Sequence, residues 1–136
     1  MSTDADSHRD LAGLRILIVE DELLVALELE TMLGSLGCEV VGPAARLEKA
    51  LNLAETEEPD GAVLDVNLRG KPVYPVAAAL GARGIPFIFS TGYSNSSTVP
   101  EAFRGNARIE KPFNQEDLAR LMSRTFGDRP RGASEH

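Results

Sequence analysis

Short apolar runs alternate with helical stripes along the chain from residue 14 onward. Four of these runs predict strands buried in a parallel sheet: LRILIV from residue 14, CEVVG from residue 38, GAVLD from residue 61 and IPFIFS from residue 85. ARIE, from residue 107, predicts a weaker fifth strand. Apolar residues recur at the spacing of amphipathic helices over residues 22–36, 47–54 and 114–126. This alternation predicts an α/β fold, in which helices cover both faces of a parallel sheet.

The connection between the fourth and fifth strands is the weak part of this pattern. An Ala-rich third helix is predicted at residues 73–84, but TGYSNSSTVPEAFRGN, from residue 91, is rich in Ser, Gly and Asn. It predicts a poorly formed fourth helix, with a mobile segment over residues 92–106. Both ends of the chain are polar and lack periodicity. Residues 1–12 and 128–136 are therefore predicted to be flexible tails around one domain, residues 13–127.

Polar residues stand where the predicted strands end. Glu20 and Asp21 follow the first strand, Asp65 ends the third, Thr91 follows the fourth and Lys111 follows the fifth. If the strand order is 2-1-3-4-5, the second strand lies at an edge and the other four endings surround the point where the order reverses. Ligands of such sheets bind beyond the carboxyl ends of the strands, so these residues are predicted to form one site.

The chemistry of these residues points toward phosphorus. Three carboxylates brought together would repel each other, and a divalent cation relieves that repulsion. Oxygen ligands with room for waters and a phosphate favour Mg²⁺ over a closed calcium cage. Lys111 is able to pair with Asp65 or with a phosphoryl group on it, and the Thr91 hydroxyl is a donor to the same group. The pattern is typical of an aspartate that acts as a nucleophile toward phosphorus.

Each of these residues also has a simpler interpretation. Glu20 and Asp21 suit the N-terminus of the following helix electrostatically, and Asp65 is a common turn residue. Lys111 and Thr91, taken singly, are an ordinary surface lysine and a strand-end hydroxyl. The simpler interpretations explain the residues one at a time, whereas a shared site explains them together.

Composition limits the classes of function. A chain of 136 residues with 43% hydrophobic residues suits one domain, and its net charge of −7 argues against nucleic acid as a partner. No apolar run approaches the roughly 20 residues that span a bilayer, so no membrane partner is expected. The single cysteine, Cys38, excludes an internal disulfide, and no signal-like segment precedes the first strand. We therefore expect a cytoplasmic protein.

Four motifs, in one order, resemble a known family. They are ILIVEDE with its acidic pair, LDVNL around Asp65, IPFIFSTGY around Thr91 and IEKPF around Lys111. Together they resemble the receiver domain of response regulators in two-component signalling, over residues 14–126. The resemblance implies a flavodoxin-like (βα)5 fold, which is a doubly wound parallel five-stranded sheet of order 2-1-3-4-5. It also implies that Asp65 accepts a phosphoryl group from a sensor histidine kinase.

The resemblance implies a metal site and a mode of action as well. Glu20, Asp21, Asp65 and the backbone carbonyl of Asn67 would hold Mg²⁺. Lys111 and Thr91 would bind the phosphoryl oxygens. Such a domain is not an enzyme with a separate substrate, but it promotes its own phosphotransfer and autodephosphorylation. Because few residues follow position 127, we expect a single-domain regulator that docks to an unidentified downstream protein or acts as a phosphate sink.

One motif departs from the common family pattern. FSTGY, from residue 89, is similar to a subgroup of stand-alone receivers with a Phe-Ala-Thr-Gly motif, often paired with kinases of the HWE or a related class. Most receivers carry an aromatic switch residue three positions before the lysine, where this chain has Arg108. We hypothesise that Tyr93 takes over part of the switching.

Two alternatives belong to other classes. A pseudo-receiver that docks to proteins without accepting phosphate is expected to lack the acidic pair, the aspartate or the lysine, yet all are present. A haloacid-type phosphatase needs a second aspartate two residues after Asp65, where this chain has Asn67. A P-loop nucleotidase is excluded because no Gly-rich loop ends in Lys-Ser or Lys-Thr.

Overall fold

Five parallel strands form the central sheet of the chain, and the computed structural model describes residues 9–92 and 100–127. In chain order the elements are β1 (Arg15–Val19), α1 (Leu23–Ser35), β2 (Glu39–Ala44), α2 (Leu47–Thr56), β3 (Gly61–Asp65), β4 (Asn67–Leu68), β5 (Lys71–Pro72), α3 (Tyr74–Ala82), β6 (Phe87–Thr91), β7 (Ala107–Glu110) and α4 (Gln115–Thr125). The described residues also contain two short 3-10 helices, Arg9–Leu11 and Glu101–Phe103.

The order of strands in the sheet is β2-β1-β3-β6-β7, and each neighbouring pair is parallel. This confirms the predicted order 2-1-3-4-5, because β6 and β7 are the fourth and fifth predicted strands. Val19 pairs in register with Leu64, and Asp65 pairs with Ser90. The carboxyl ends of the central strands are therefore aligned along one edge of the sheet.

An apolar layer covers each face of the sheet. On one face, α2 and α3 pack over β-strand residues such as Leu64 and Phe89, and on the other, α1 and α4 pack over residues such as Val63 and Ile88. Successive strand residues point to opposite faces, so strands buried on both faces are apolar at nearly every position. Each fully buried aliphatic or aromatic side chain contributes about 1.5–3 kcal/mol.

The strongest of the predicted helices begins and packs as its sequence indicates. The Asn114 side chain accepts a hydrogen bond from the backbone N–H of Asp117 at 2.8 Å and so caps the N-terminus of α4. Its apolar stripe is buried, and Phe126, just beyond the helix, lies against Gly61. A Cβ at Gly61 would be 2.8 Å from that ring, so glycine permits the close approach of α4 to β3.

The folded region extends slightly beyond its predicted start. Leu11 lies within the segment 1–12 that was predicted as a tail, but it is fully buried among the residues of α1 and α4. The short helix Arg9–Leu11 is thus part of the domain, because its one apolar side chain completes that layer. The remaining predicted tail residues, 1–8 and 128–136, lie outside the described part of the chain.

Two connections after β3 position the site. A hairpin of β4 and β5, which the sequence did not predict, joins β3 to α3. The connection from β6 to β7 confirms the prediction of a poorly formed fourth helix, since its described residues, 100–106, form only the 3-10 helix Glu101–Phe103. The predicted mobility of this connection and the role of Tyr93 fall largely on residues 93–99, which lie outside the described part. Across the described ranges, no helix is long and apolar enough to span a bilayer.

Candidate functional site

The carboxyl ends of β1, β3, β6 and β7 bring the predicted site residues together. Glu20 and Thr91 are each 2% exposed and Asp65 is 5% exposed, whereas Asp21 is only partly buried. Carboxylates this deeply buried are rare without a compensating charge. The topology therefore places acidic groups where water alone does not stabilise them.

Three carboxylates form the centre of the site. Glu20, Asp21 and Asp65 each place an oxygen within 4.8 Å of those of the other two. The oxygen Oε2 of Glu20 accepts a hydrogen bond from the backbone N–H of Glu22 at 3.0 Å, which fixes its orientation. Because carboxylates repel each other at this distance, full ionisation of all three is disfavoured unless a cation binds among them. The sequence predicted this grouping, and the geometry agrees with it.

The ammonium group of Lys111 faces this cluster. The Nζ of Lys111 lies 3.2 Å from Glu20 Oε1, 3.6 Å from Asp65 Oδ2 and 3.7 Å from Glu22 Oε1. The backbone N–H of Lys111 donates to the carbonyl of Thr91 at 2.8 Å and so attaches it to the end of β6. Glu22 was not among the predicted site residues. Its signal in the sequence was the third acidic position of the EDE motif.

The excess of negative charge is visible in the pKa values. The pKa of Asp65 is raised from its ordinary 3.8 to about 8, first by burial and then by the charge of Glu20. Lys111 and the backbone N–H of Asn67 oppose that rise. Burial lowers the pKa of Lys111, but the charges of Asp65 and Glu20 outweigh burial and raise it. Without a further cation, Asp65 therefore retains its proton near neutral pH.

The hairpin after β3 supplies main-chain donors to the carboxylates. The N–H of Asn67 donates to Asp65 Oδ1 at 3.3 Å, and the N–H of Arg69 donates to Asp21 Oδ2 at 3.0 Å. The Asn67 side chain accepts from the N–H of Gly70 at 2.6 Å, as expected for a turn residue. Arg69 and Gly70 have φ values of 53° and 87°, which complete a tight turn in the left-handed region. The hairpin thereby holds Asp21, which follows β1, by a main-chain hydrogen bond.

The residues of β6 differ in their partners. Ser90, which pairs in register with Asp65, is fully buried, and its hydroxyl has no hydrogen-bond partner among the described residues. Thr91, one position later, ends the strand and is also buried. The strand register, which residue type does not reveal, therefore places Ser90 beside Asp65 in the sheet.

The donor set fits a hard divalent cation. Three carboxylate oxygens lie within 4.8 Å of one another, and burial together with the charge of Glu20 raises the pKa of Asp65. Mg²⁺ prefers oxygen ligands and usually binds a few protein groups, with waters in its other coordination positions. This donor set matches that preference. A cation there would favour the ionised form of Asp65 and lower its pKa. The residues present are therefore compatible with the predicted metal.

Sequence comparison places the chain in one family. The model of the response regulator receiver domain matches residues 16–123. The transcriptional regulatory protein PdtaR of Mycobacterium tuberculosis is 33% identical over 120 residues, which are 86% of this chain and 57% of PdtaR. The phyllosphere-induced regulator PhyR of Methylorubrum extorquens is 30% identical over 127 residues, which are 89% of this chain and 48% of PhyR. The chain thus spans about half the length of these curated relatives.

Solved structures agree with this placement. SdrG from Sphingomonas melonis is 43% identical, with a TM-score of 0.75 over 82% of this chain and 94% of SdrG. The receiver domain of a sensor histidine kinase from Pseudomonas aeruginosa is 27% identical, with a TM-score of 0.69 over 86% of this chain and all of that domain. That structure has a magnesium ion coordinated in its active-site cleft. The sheet order, the acidic cluster and these similarities lead to one conclusion: the chain belongs to the response regulator receiver domains of two-component signalling.

Proposed function

We propose that the chain accepts a phosphoryl group on Asp65 from a sensor histidine kinase in a Mg²⁺-dependent reaction. It then signals by altered docking to a downstream protein, or drains phosphoryl groups from a shared kinase. The buried acidic cluster supports this proposal most directly, because Asp65 meets Glu20 and Asp21 within 4.8 Å and Lys111 at 3.6 Å. A purely structural ion pair would not require this surplus of carboxylates.

In the proposed reaction, an oxygen of Asp65 attacks the phosphorus of a phosphohistidine. The new O–P bond forms as the P–N bond breaks, and the imidazole leaves. The nucleophile must be ionised, but burial and neighbouring charge raise the pKa of Asp65 to about 8. Mg²⁺ held by Glu20, Asp21, Asp65 and the carbonyl oxygen of Asn67 would supply the positive charge that ionises this carboxyl and screens the phosphoryl oxygens.

Lys111 and Thr91 are assigned to the phosphoryl oxygens. The Nζ of Lys111 is 3.6 Å from Asp65 Oδ2, so it already lies beside the oxygen that would carry the group. Thr91 comes directly after Ser90, the residue of β6 that pairs with Asp65 of β3. The Thr91 hydroxyl is therefore a hydrogen-bond donor at the neighbouring strand end. We propose that the same groups support attack by water, which would return Asp65 to its free form.

An exposed apolar patch on α1 suits docking of a partner protein. Leu23, Leu24 and Leu27 are 71%, 75% and 45% exposed, which is unusual for leucines of one helix. The patch begins one residue after Glu22, whose carboxylate lies 3.7 Å from Lys111. A kinase that delivers a phosphoryl group to Asp65 must approach this edge of the sheet. We therefore propose that the α1 patch contributes to that approach.

Intact mass spectrometry tests the chemistry of Asp65. The protein is incubated with Mg²⁺ and acetyl phosphate, and the wild type is compared with Asp65→Asn and with Asp117→Asn, an exposed carboxyl on α4. We expect the wild type and Asp117→Asn to gain one phosphoryl group each and Asp65→Asn to gain none. Chelation of Mg²⁺ should suppress the gain in the wild type and in Asp117→Asn.

The kinase is tested separately from the small donor. An autophosphorylated histidine kinase from the same genome should transfer its label to the wild type but not to Asp65→Asn. If neither acetyl phosphate nor any such kinase labels the wild type, the phosphate-independent docking module becomes the better description.

A further inference from the structure

A cavity lined by cations lies next to the acidic site, where two connections of the chain meet. Its volume is about 240 Å³. One connection is the start of α2, and the other is the hairpin of β4 and β5 that follows Asp65. Arg46 comes from the first connection, and Arg69 and Lys71 come from the second. Three cations that are separate in sequence therefore line one concavity, which we call the cationic cavity.

The cations of this cavity have no ionic partners. Across the described ranges, the side chains of Arg46, Arg69 and Lys71 form neither an ion pair nor a hydrogen bond. By contrast, Arg15 and Arg120 each pair with a carboxylate, at 3.1 Å and 3.0 Å. Like charges that share a concavity repel each other, and a cleft with one sign of charge attracts the opposite ion. The cavity therefore favours an anionic group from another molecule.

Part of the lining is apolar. Leu47 and Leu68 contribute to it, and Leu68 belongs to the apolar layer beneath α2 and α3. Among the described residues of the lining, Glu48 is the acidic one, so three positive charges stand against one negative charge. A segment that carries both acidic and apolar side chains matches this combination better than a simple anion does.

The size of the cavity argues for a protein occupant. Pockets that enclose small molecules usually have volumes of about 300–1,000 Å³ and bury most of the ligand. The cationic cavity is smaller, and its three cations are exposed. It has room for one or two side chains presented by another protein, as anchor pockets in protein interfaces do.

The charge of the whole chain makes this position selective. The net charge is −7, with 21 acidic residues against 14 Lys and Arg. An acidic segment is therefore repelled by most of the surface and attracted where unpaired cations gather, and such a contrast gives specificity. The exposed leucines of α1 lie elsewhere, because α1 covers the opposite face of the sheet from α2. A protein in the cavity would not use the residues of the α1 patch.

We propose that the cationic cavity docks an acidic segment, with an apolar side chain, of the downstream protein. This inference rests on the proposed function, since it names the chemistry of the partner to which the chain would dock. The backbone N–H of Arg69 donates to Asp21 Oδ2 at 3.0 Å, so the docked segment lies beside the acidic site.

Fluorescence anisotropy tests the docking with a defined probe. The probe is a short labelled peptide of Asp and Glu with one central Leu, and the control peptide has Lys in place of each acidic residue. We expect the full chain to bind the acidic peptide and not the control. Added NaCl should weaken the binding, because salt screens ion pairs at an exposed cavity. Equal binding of the two peptides, or no binding of the acidic one, would overturn the inference.

Matched charge reversals locate the binding. Arg46→Glu and Lys71→Glu each reverse an exposed cation of the cavity, and Arg124→Glu reverses an exposed cation on α4. All three positions are on the surface, so the variants are expected to fold. We expect each cavity variant to bind the acidic peptide about tenfold more weakly, and Arg124→Glu to bind it as the wild type does. Equal losses in all three would show a response to net charge alone and would overturn the inference.

Two measurements separate the possible occupants and the two proposals. If inorganic phosphate shifts the amide resonances of Arg46 and Lys71 but the peptide does not, the cavity is a small-anion site and the inference is wrong. Intact mass after treatment with Mg²⁺ and acetyl phosphate reports on Asp65 independently. A chain that gains one phosphoryl group but does not bind the peptide would overturn only the inference. A chain that binds the peptide but gains no mass would overturn only the proposed phosphorylation.

Discussion

Replacement of Asp65 by asparagine is expected to stabilise the metal-free domain, and to do so more strongly as the pH rises. Asp65 is 5% exposed, and its pKa is raised from 3.8 to about 8 by burial and by the charge of Glu20. Asparagine has nearly the same shape but does not ionise. The substitution therefore removes a charge that the folded site disfavours.

The sign of the pH dependence follows from proton binding. Between the two pKa values, the folded domain keeps a proton on Asp65 that the unfolded chain has released, so the free energy of unfolding falls as the pH rises. The contribution of the protonated carboxyl is complete below about pH 4 and is lost by about pH 8. The expected slope is about 1.4 kcal/mol per pH unit, and the rise of the pKa from 3.8 to about 8 corresponds to about 6 kcal/mol in total.

Urea unfolding in EDTA, at several pH values between about 5 and 8, measures this difference. The advantage of Asp65→Asn over the wild type should grow by about 1.4 kcal/mol per pH unit, since the variant lacks the titrating group. Asp117→Asn, whose side chain is 56% exposed on α4, serves as the control and should leave the slope unchanged. Excess Mg²⁺ should flatten the wild-type curve, because the cation compensates the ionised carboxyl.

One result would refute this reasoning. If the stability difference between the wild type and Asp65→Asn is constant over this pH range, Asp65 is ionised in the folded domain throughout, and the acidic cluster does not hold a proton. The interpretation of the site as one that exchanges a proton for a metal ion would then be wrong.

Three further predictions concern local features. Asn114→Ala removes the cap of α4 and should lower the free energy of unfolding in urea by about 1 kcal/mol. Gly61→Ala places a Cβ 2.8 Å from the ring of Phe126 and should cost about 1–3 kcal/mol, whereas Gly81→Ala meets open space and should cost nothing; equal stabilities would contradict the packing argument. The Cys38 thiol, whose pKa burial raises to about 11, should react with iodoacetamide far more slowly than glutathione at neutral pH, and a rate equal to that of glutathione would show that it is not protected.

The strand-end site was predictable because its residues directly follow apolar runs. Asp65 comes directly after AVL, and Lys111 comes directly after the weaker strand ARIE, so the chain itself marks where each strand stops. Parallel topology then brings strand ends together whatever the loops do. This is why Glu20, Asp21 and Asp65 could be grouped before their distances were known.

The hairpin of β4 and β5 could not be predicted in the same way. Each strand has only two residues, which is too short for any periodicity. Arg69 occupies a left-handed position that usually favours glycine or asparagine, so local preference argued against the turn. The hydrogen bond from its N–H to Asp21 helps to offset that preference, and Asp21 is distant in sequence.

Local sequence patterns also could not predict the burial of single residues near the ends of the domain. Leu11 is one apolar residue in a polar segment, and its burial depends on Met122 and Phe126 from the other end of the chain. The stacking of Tyr74 on Phe103 is similar, since neither ring lies in a segment whose pattern indicates the other. Such contacts follow from the closure of the fold, and no window of the sequence contains both partners.

The contact between Arg69 and Asp21 is made by the main chain, and this has an evolutionary consequence. Every residue except proline offers the same N–H, so the hydrogen bond does not depend on the side chain at position 69, where the positive φ favours residues that tolerate the left-handed region. The side chain at position 69 can therefore vary while Asp21 keeps its main-chain donor. In this way, domains of separate signalling pathways can differ in the surface of one turn, at position 69, while the adjacent acidic site keeps the same chemistry.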